Sequence, residues 1–168
     1  MYALQDYIGE DHVSKALAKL VHDFAFKAAP YPTSLDMVND LRAETPPEYQ
    51  YLYDDWFENI TIFDNRVVSA KYSALPDGEY HVHLNVDAKK YRSDGKGQEH
   101  LVPLHDLIDV GVQDADGKFL YLQKAKIEQE QQEFDITVNA VPSQAGIDPL
   151  IKLIDRNPDD NTAKVEKQ

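Results

Sequence analysis

The stretch Tyr80-His81-Val82-His83-Leu84-Asn85-Val86-Asp87-Ala88-Lys89 decides the fold. Tyr80, Val82, Leu84, Val86 and Ala88 alternate with the polar His81, His83, Asn85, Asp87 and Lys89. Successive side chains on a strand point to opposite faces, so this period of two predicts a sheet with one face buried and the other solvated. A slip of one residue would exchange the faces, so the pattern sets Val82 and Leu84 inward and His81 and His83 outward.

Working outward, the same period recurs. Phe134, Ile136, Val138 and Ala140 alternate with Glu133, Asp135, Thr137 and Asn139, and Ile108, Val110 and Val112 mark a third strand. Residues 119–127 make a fourth, and 60–72 supply one or two more. Pro76-Asp77-Gly78, Asp94-Gly95-Lys96-Gly97 and Asp116-Gly117 are turn signals between them. Roughly six or seven strands with closely spaced turns predict an antiparallel immunoglobulin- or fibronectin-like β-sandwich over 58–142.

Residues 1–57 follow a period of 3.6 instead and predict short helices, so the fold class is α+β. Tyr2, Ala3, Leu4, Tyr7 and Ile8 form an apolar turn closed by Gly9, the residue that most readily caps a helix end. Val13, Ala16, Leu17, Leu20, Val21 and Phe24 form the next stripe, with Asp11 as its expected N-cap and a stop near Ala29, before Pro30 and Pro32. Thr33-Ser34-Leu35-Asp36 reads as a capping box, and so does Thr45-Pro46-Pro47-Glu48, with Thr45 as N-cap. Tyr49, Leu52, Tyr53, Trp56 and Phe57 then fall at helical spacing as a packing face. Short helices are marginal alone, so these must dock on something.

Beyond Val141-Pro142 the pattern changes again. Residues 143–168 are expected to hold one short packed turn, over 146–154, and then an acidic, mobile tail.

Lys and Arg number 17 against 30 Asp and Glu, a net charge of −13. That balance opposes a phosphate backbone and an anionic bilayer surface, so neither nucleic acid nor direct membrane contact is expected. No apolar run approaches the roughly 18 residues of a spanning helix, so the polypeptide itself is expected to be soluble. The chain has no cysteine, which excludes disulfides, thiol catalysis and Cys-ligated zinc.

The candidate chemistry is sparse. His81 and His83 share a strand face and could reach one metal ion, with His100 or His105 as a third ligand. The plain alternative is a solvated sheet face that carries two histidines. Asp155-Arg156-Asn157-Pro158-Asp159-Asp160-Asn161 begins like a calcium loop, and Glu166 falls at position twelve. Position six, where the sharp turn needs Gly, is Asp160, and Pro158 interrupts the loop. There is no G-x-S-x-G, P-loop or G-x-G-x-x-G, and no histidine is followed by Glu, so H-E-x-x-H is absent. No catalytic or cofactor-binding residue is therefore expected, and no metal beyond the weak candidates His81 and His83.

Several stretches resemble the C-terminal end of a bacterial family that joins an ABC transporter permease to an aminopeptidase N-like zinc metallopeptidase (gluzincin) domain. They are Tyr2-Ala3-Leu4-Gln5-Asp6-Tyr7-Ile8-Gly9-Glu10, Pro30-Tyr31-Pro32-Thr33-Ser34 and Phe57-Glu58-Asn59-Ile60-Thr61. More specific are Lys89-Lys90-Tyr91-Arg92-Ser93-Asp94-Gly95-Lys96-Gly97, Ile108-Asp109-Val110-Gly111-Val112, Ala145-Gly146-Ile147-Asp148-Pro149 and Leu153-Ile154-Asp155-Arg156-Asn157-Pro158-Asp159-Asp160-Asn161. The resemblance implies that 1–57 are the tail of the peptidase-like domain. It places the family's H-E-x-x-H, its distant Glu and its peptide-amine segment upstream of Met1, and Tyr2 does not match the family's catalytic Tyr. Zinc is thus expected in the parent protein and no cofactor in this chain.

What the resemblance implies is a non-catalytic C-terminal accessory region of a membrane-anchored zinc aminopeptidase-like protein. Its partner would be the upstream peptidase domain, with self-association through the helical face also open. The parent would sit in the bacterial inner membrane, with the periplasmic side favoured. The alternatives are a free-standing β-sandwich module binding a protein or glycan and, last, a small hydrolase with a His-held metal.

Overall fold

The computed structural model describes residues 1–168. The chain divides into two compact units, Met1–Ile60 and Thr61–Gln168. It combines helices in the first with two sheets in the second, so it is α+β.

The first unit holds α1 (Tyr2–Ile8), α2 (Glu10–Phe24), α3 (Ser34–Glu44) and α4 (Tyr51–Tyr53). Gly9, at φ 90°, separates α1 from α2 and serves both as C-cap of the first and N-cap of the second. Asp11 therefore lies inside the first turn of α2 rather than capping it, where its charge still favours the helix N-terminus. α2 stops at Phe24, five residues short of the expected Ala29. Lys19 ties α2 to α3 through Asp40, at 2.9 Å.

The capping box at Thr33 is present, with the Asp36 carboxylate accepting the Thr33 N–H at 2.7 Å and its hydroxyl at 2.8 Å. The one expected at Thr45 does not form. The Thr45 hydroxyl donates to the Leu41 carbonyl at 2.9 Å and lies 2.7 Å from the Tyr53 hydroxyl, so it closes α3 instead of opening the next helix. The chain continues as a 3-10 turn at Pro47–Tyr49, α4, and a π-turn at Asp54–Glu58. Leu4, Leu41, Leu52 and Tyr53 form the buried centre. Tyr7 meets Trp56 edge-on at 5.3 Å between centroids, and Tyr53 stacks on Phe57 at 5.4 Å, a ring packing that accounts for the aromatic stripe.

The second unit holds nine strands: β1 (Ile60–Ala74), β2 (Tyr80–Ser93), β3 (Glu99–Val102), β4 (Asp106–Gln113), β5 (Phe119–Ile127), β6 (Gln131–Val138), β7 (Gln144–Ile147), β8 (Thr162–Lys164) and β9 (Glu166–Lys167). One sheet runs β3-β2-β1-β9 with β6 also paired to β2, and the other runs β5-β4-β7-β8. Antiparallel pairs predominate, while β9 lies parallel to β1. Val82, Leu84, Val86 and Ala88 are fully buried, whereas His81 and His83 keep more than a third of their side-chain surface. The alternation on β2 is therefore oriented as the sequence requires.

Residues 143–168 depart from expectation. In place of one packed turn and a mobile tail they supply β7, β8 and β9 and a 3-10 turn at Pro158–Asp160. Charge on these residues does not prevent pairing, because edge strands of two or three residues expose their side chains while their backbones complete a ladder. Gly146 shows how tightly they fit: an added Cβ would lie 2.8 Å from Thr162 Cα and closer still to the Asn161 carbonyl. No helix is long and apolar enough to cross a membrane.

Candidate functional site

The polar face of β2 and β6 carries the histidine cluster. The register sets His81 opposite Thr137, His83 opposite Asp135 and Asn85 opposite Glu133. Oδ1 of Asp135 lies 3.0 Å from His83 Nδ1 and 3.2 Å from His81 Nε2, so one carboxylate oxygen serves two imidazoles. Glu133 stands 4.0 Å from His83 Nε2. The His83 hydrogen bond, helped by the charge of both rings, holds the Asp135 carboxyl below its ordinary range. All four side chains are well exposed, so water screens these contacts.

The third ligand that His100 or His105 could have supplied lies elsewhere. His100 is opposite Arg92, nine residues beyond His83 along β2, which is about 30 Å of strand. His105 lines a recess elsewhere, with Lys89, Leu101 and Glu128. No three His, Asp or Glu side chains group in a way that could hold a metal ion. As it stands, the cluster can share a proton among two imidazoles and a carboxylate or present them to a polar partner.

The calcium-like stretch is occupied by its own hydrogen bonds. Asp155 accepts the backbone N–H of Asn157 at 2.9 Å and of Asn65 at 3.0 Å, and Asp160 accepts the Asn157 side-chain amide at 2.9 Å. Asp155 also bridges to Phe63 on β1, so the stretch acts as a joint between segments of the unit.

A second polar cluster is buried. Asp109, on β4, receives Lys124 of β5 at 3.1 Å on one oxygen and Lys152 at 2.6 Å on the other. Beside it Asp148 is 1 % exposed, and its carboxylate accepts the backbone N–H of Lys152 at 2.9 Å and of Leu153 at 3.0 Å. Burial, with the charges of Asp109 and Asp155, pushes the Asp148 carboxyl up to about 6. Sequence reasoning treated both stretches as apolar and passed over these groups. The signal was a charge set inside each apolar run, Asp109 between Ile108 and Val110 and Lys152 between Ile151 and Leu153. Buried charges of this kind require partners.

On the helical unit, Leu35, Val38, Arg42 and Phe57 line an open recess of about 340 Å³, bounded by the Arg42–Glu58 ion pair. No protein-family model matches the chain, and no curated protein matches it.

Proposed function

We propose that this chain is the non-catalytic accessory region of a membrane-anchored zinc aminopeptidase-like protein, of the bacterial permease–peptidase kind it resembles. In this reading Thr61–Gln168 is an immunoglobulin- or fibronectin-like sandwich, and Met1–Ile60 packs on the upstream peptidase domain. That domain holds the zinc, and the parent sits in the inner membrane with its peptidase on the periplasmic side. The observation that supports this most is the apolar surface of the helical unit. Val21 is 63 %, Leu35 64 % and Tyr31 73 % exposed, Phe26 is fully so, and Leu17 is exposed as well. Leu4 and Ile8, from the same stripes, are buried within the unit itself, and Leu20 and Phe24 are half-buried. Several large apolar side chains left in water on so small a unit favour a partner surface.

The test mixes this chain with the peptidase-like domain encoded upstream of it and follows complex formation by sizing and calorimetry. We expect a one-to-one complex that Val21→Asp with Leu35→Asp weakens at least tenfold. An upstream sequence without H-E-x-x-H, or no complex with the unaltered chain, overturns the reading.

The exposed pair His81 and His83 around Asp135 favours a second reading, a sandwich module that binds a protein or glycan through this face. A glycan and peptide array separates the two: binding lost in His83→Ala but kept in Val21→Asp supports the module.

A further inference from the structure

The loop from Asp155 to Asn161 runs from the bridge at Phe63 to the start of β8. Its own hydrogen bonds use only part of its polar atoms. Asp155 accepts the N–H groups of Asn65 and Asn157, one on each oxygen, and one oxygen of Asp160 accepts the Asn157 amide. The other oxygen of Asp160 is buried and has no hydrogen-bond partner. Asn161, next in the chain, is 1 % exposed, and Asn65, whose N–H rests on Asp155, is 0 % exposed. Neither the oxygen nor the nitrogen of these two side-chain amides meets a partner. Buried amides are hydrogen-bonded in nearly every folded protein, so two orphaned ones against a single loop mark a place where something binds.

The charges there call for a cation. Asp64 and Asp160 set like charges around Asp155. The two nearby arginines are engaged elsewhere: Arg66 pairs with Asp87, and Arg156 with Glu99 at 2.5 Å and, more loosely, with Asp64 at 3.9 Å. Asp155 and Asp160 have no ion pair of their own. Because no three carboxylates or imidazoles group around a metal, a cation here must rest on two carboxylates and two amide oxygens. That is an all-oxygen set drawn from two segments of chain. It suits calcium, which takes many oxygens in loose geometry, better than magnesium, which demands a strict octahedron, or zinc and copper, which favour nitrogen and sulfur. Asp160 at the glycine position and Pro158 still exclude an EF-hand, and Asn65 of β1 supplies from outside the loop what the loop lacks.

We propose that the loop 155–161 and Asn65 of β1 together hold one calcium ion, with side-chain oxygens from Asp160, Asn161 and Asn65 and the Asp155 carboxylate as the second charge. Each Asp155 oxygen accepts one N–H and keeps a lone pair for the ion. Water carried on the ion accepts the amide hydrogens of Asn65 and Asn161. The bound ion fastens the loop that leads into β8 to strand β1, so the joint between these segments tightens with calcium. The site uses neither His81 nor His83 and lies within Thr61–Gln168, so it depends on neither functional reading. Two carboxylates with neutral amides give a dissociation constant of roughly 0.1–1 mM, the range of extracellular calcium modules.

The test is a titration of the chelator-treated full chain with calcium chloride at constant ionic strength, followed by NMR and by thermal melting. The signals of Asn65 and of Asn157 to Asn161, side-chain amides included, should shift along one saturable curve, and the melting temperature should rise with calcium. Magnesium should bind at least about tenfold more weakly, and Asp160→Asn, which removes one of the two charges, should weaken calcium by at least about tenfold. In chelator the Asp160→Asn variant should melt no lower than the unaltered chain, because it relieves a like charge beside Asp155; a purely structural role for Asp160 predicts a lower melt. No saturable shift by about 10 mM calcium overturns the proposal. So do equal shifts at the exposed Asp114–Asp116 turn, equal affinity for magnesium, or unchanged affinity in the variant. Should the variant not fold, the position and saturation of the shifts in the unaltered chain decide the matter.

Discussion

Nζ of Lys152 lies 2.6 Å from Oδ2 of Asp109, with 2 % and 4 % of the two side chains exposed. Lys152 comes from the segment that follows β7 and Asp109 from the middle of β4, so this ion pair pins an irregular stretch of chain to a central strand. Two charges withdrawn from water attract each other strongly, and Lys124, 3.1 Å from the other Asp109 oxygen, shares that carboxylate. The response to losing Lys152 is set by the charge-assisted hydrogen bond removed and by a buried carboxylate left with one of its two cations.

Lys152→Met should therefore destabilise Thr61–Gln168 by about 2 kcal/mol in urea denaturation. Lys126→Met, which removes a half-exposed pair with Glu128, should change stability by about 0.5 kcal/mol or less. Similar losses in the two variants would mean that the Asp109 site relaxes around the missing charge.

Gly146→Ala should destabilise the same unit by about 2–3 kcal/mol, because the new methyl meets the backbone of Asn161 and Thr162 and not the movable end of a side chain. A thermal melt within about a degree of the unaltered protein would show that β8 can shift away.

Ile151→Asn should act in the opposite sense. Ile151 sits at φ 50°, where a β-branched residue is strained and Asn is tolerated, and its side chain is 59 % exposed, so little packing is lost. We expect a gain of about 0.5–1 kcal/mol, read as a higher denaturation midpoint at unchanged slope.

In the helical unit, Thr33→Ala should cost about 1 kcal/mol by removing the hydroxyl of the capping box. The single tryptophan, Trp56, lies in that unit and reports its unfolding by fluorescence without interference from the strands.

On the exposed face of β2, the His83 hydrogen bond is the largest cause of the lowered Asp135 carboxyl. His83→Ala should therefore return Asp135 toward the ordinary carboxylate range further than His81→Ala does, as followed by carboxyl NMR. The sign is that of a group stabilised in its charged form: the support is present above about 4 and is lost as pH falls through the lowered value. An equal response to both variants would mean that the shared oxygen favours neither ring.

Much of this architecture is legible in local pattern. Alternation on β2 tells the buried Val82 and Leu84 from the solvated His81 and His83, because side-chain direction on a strand depends on nothing more distant than the neighbouring residue. Gly9 marks a helix break, and Thr33 with Asp36 marks a helix start, because caps are hydrogen bonds within a few residues of sequence. Thr45 has the same local signature as Thr33 but was diverted to Leu41 and Tyr53, a competition visible after the chain has folded back on itself.

The sequence by itself determined where the period changes from helix to strand, which face of β2 and β6 is buried, and which reaction signatures are missing. Tertiary structure alone decided the rest: that 143–168 complete two sheets, that Asp135 and not His100 joins His81 and His83, and that Asp109, Lys124, Lys152 and Asp148 meet in the interior. The partners that meet come from separate strands and the segment after β7, such as His83 with Asp135 and Asp109 with Lys152, and their meeting is settled by the burial of the whole unit. No window of sequence contains the partner that a buried charge or a two-residue strand will find.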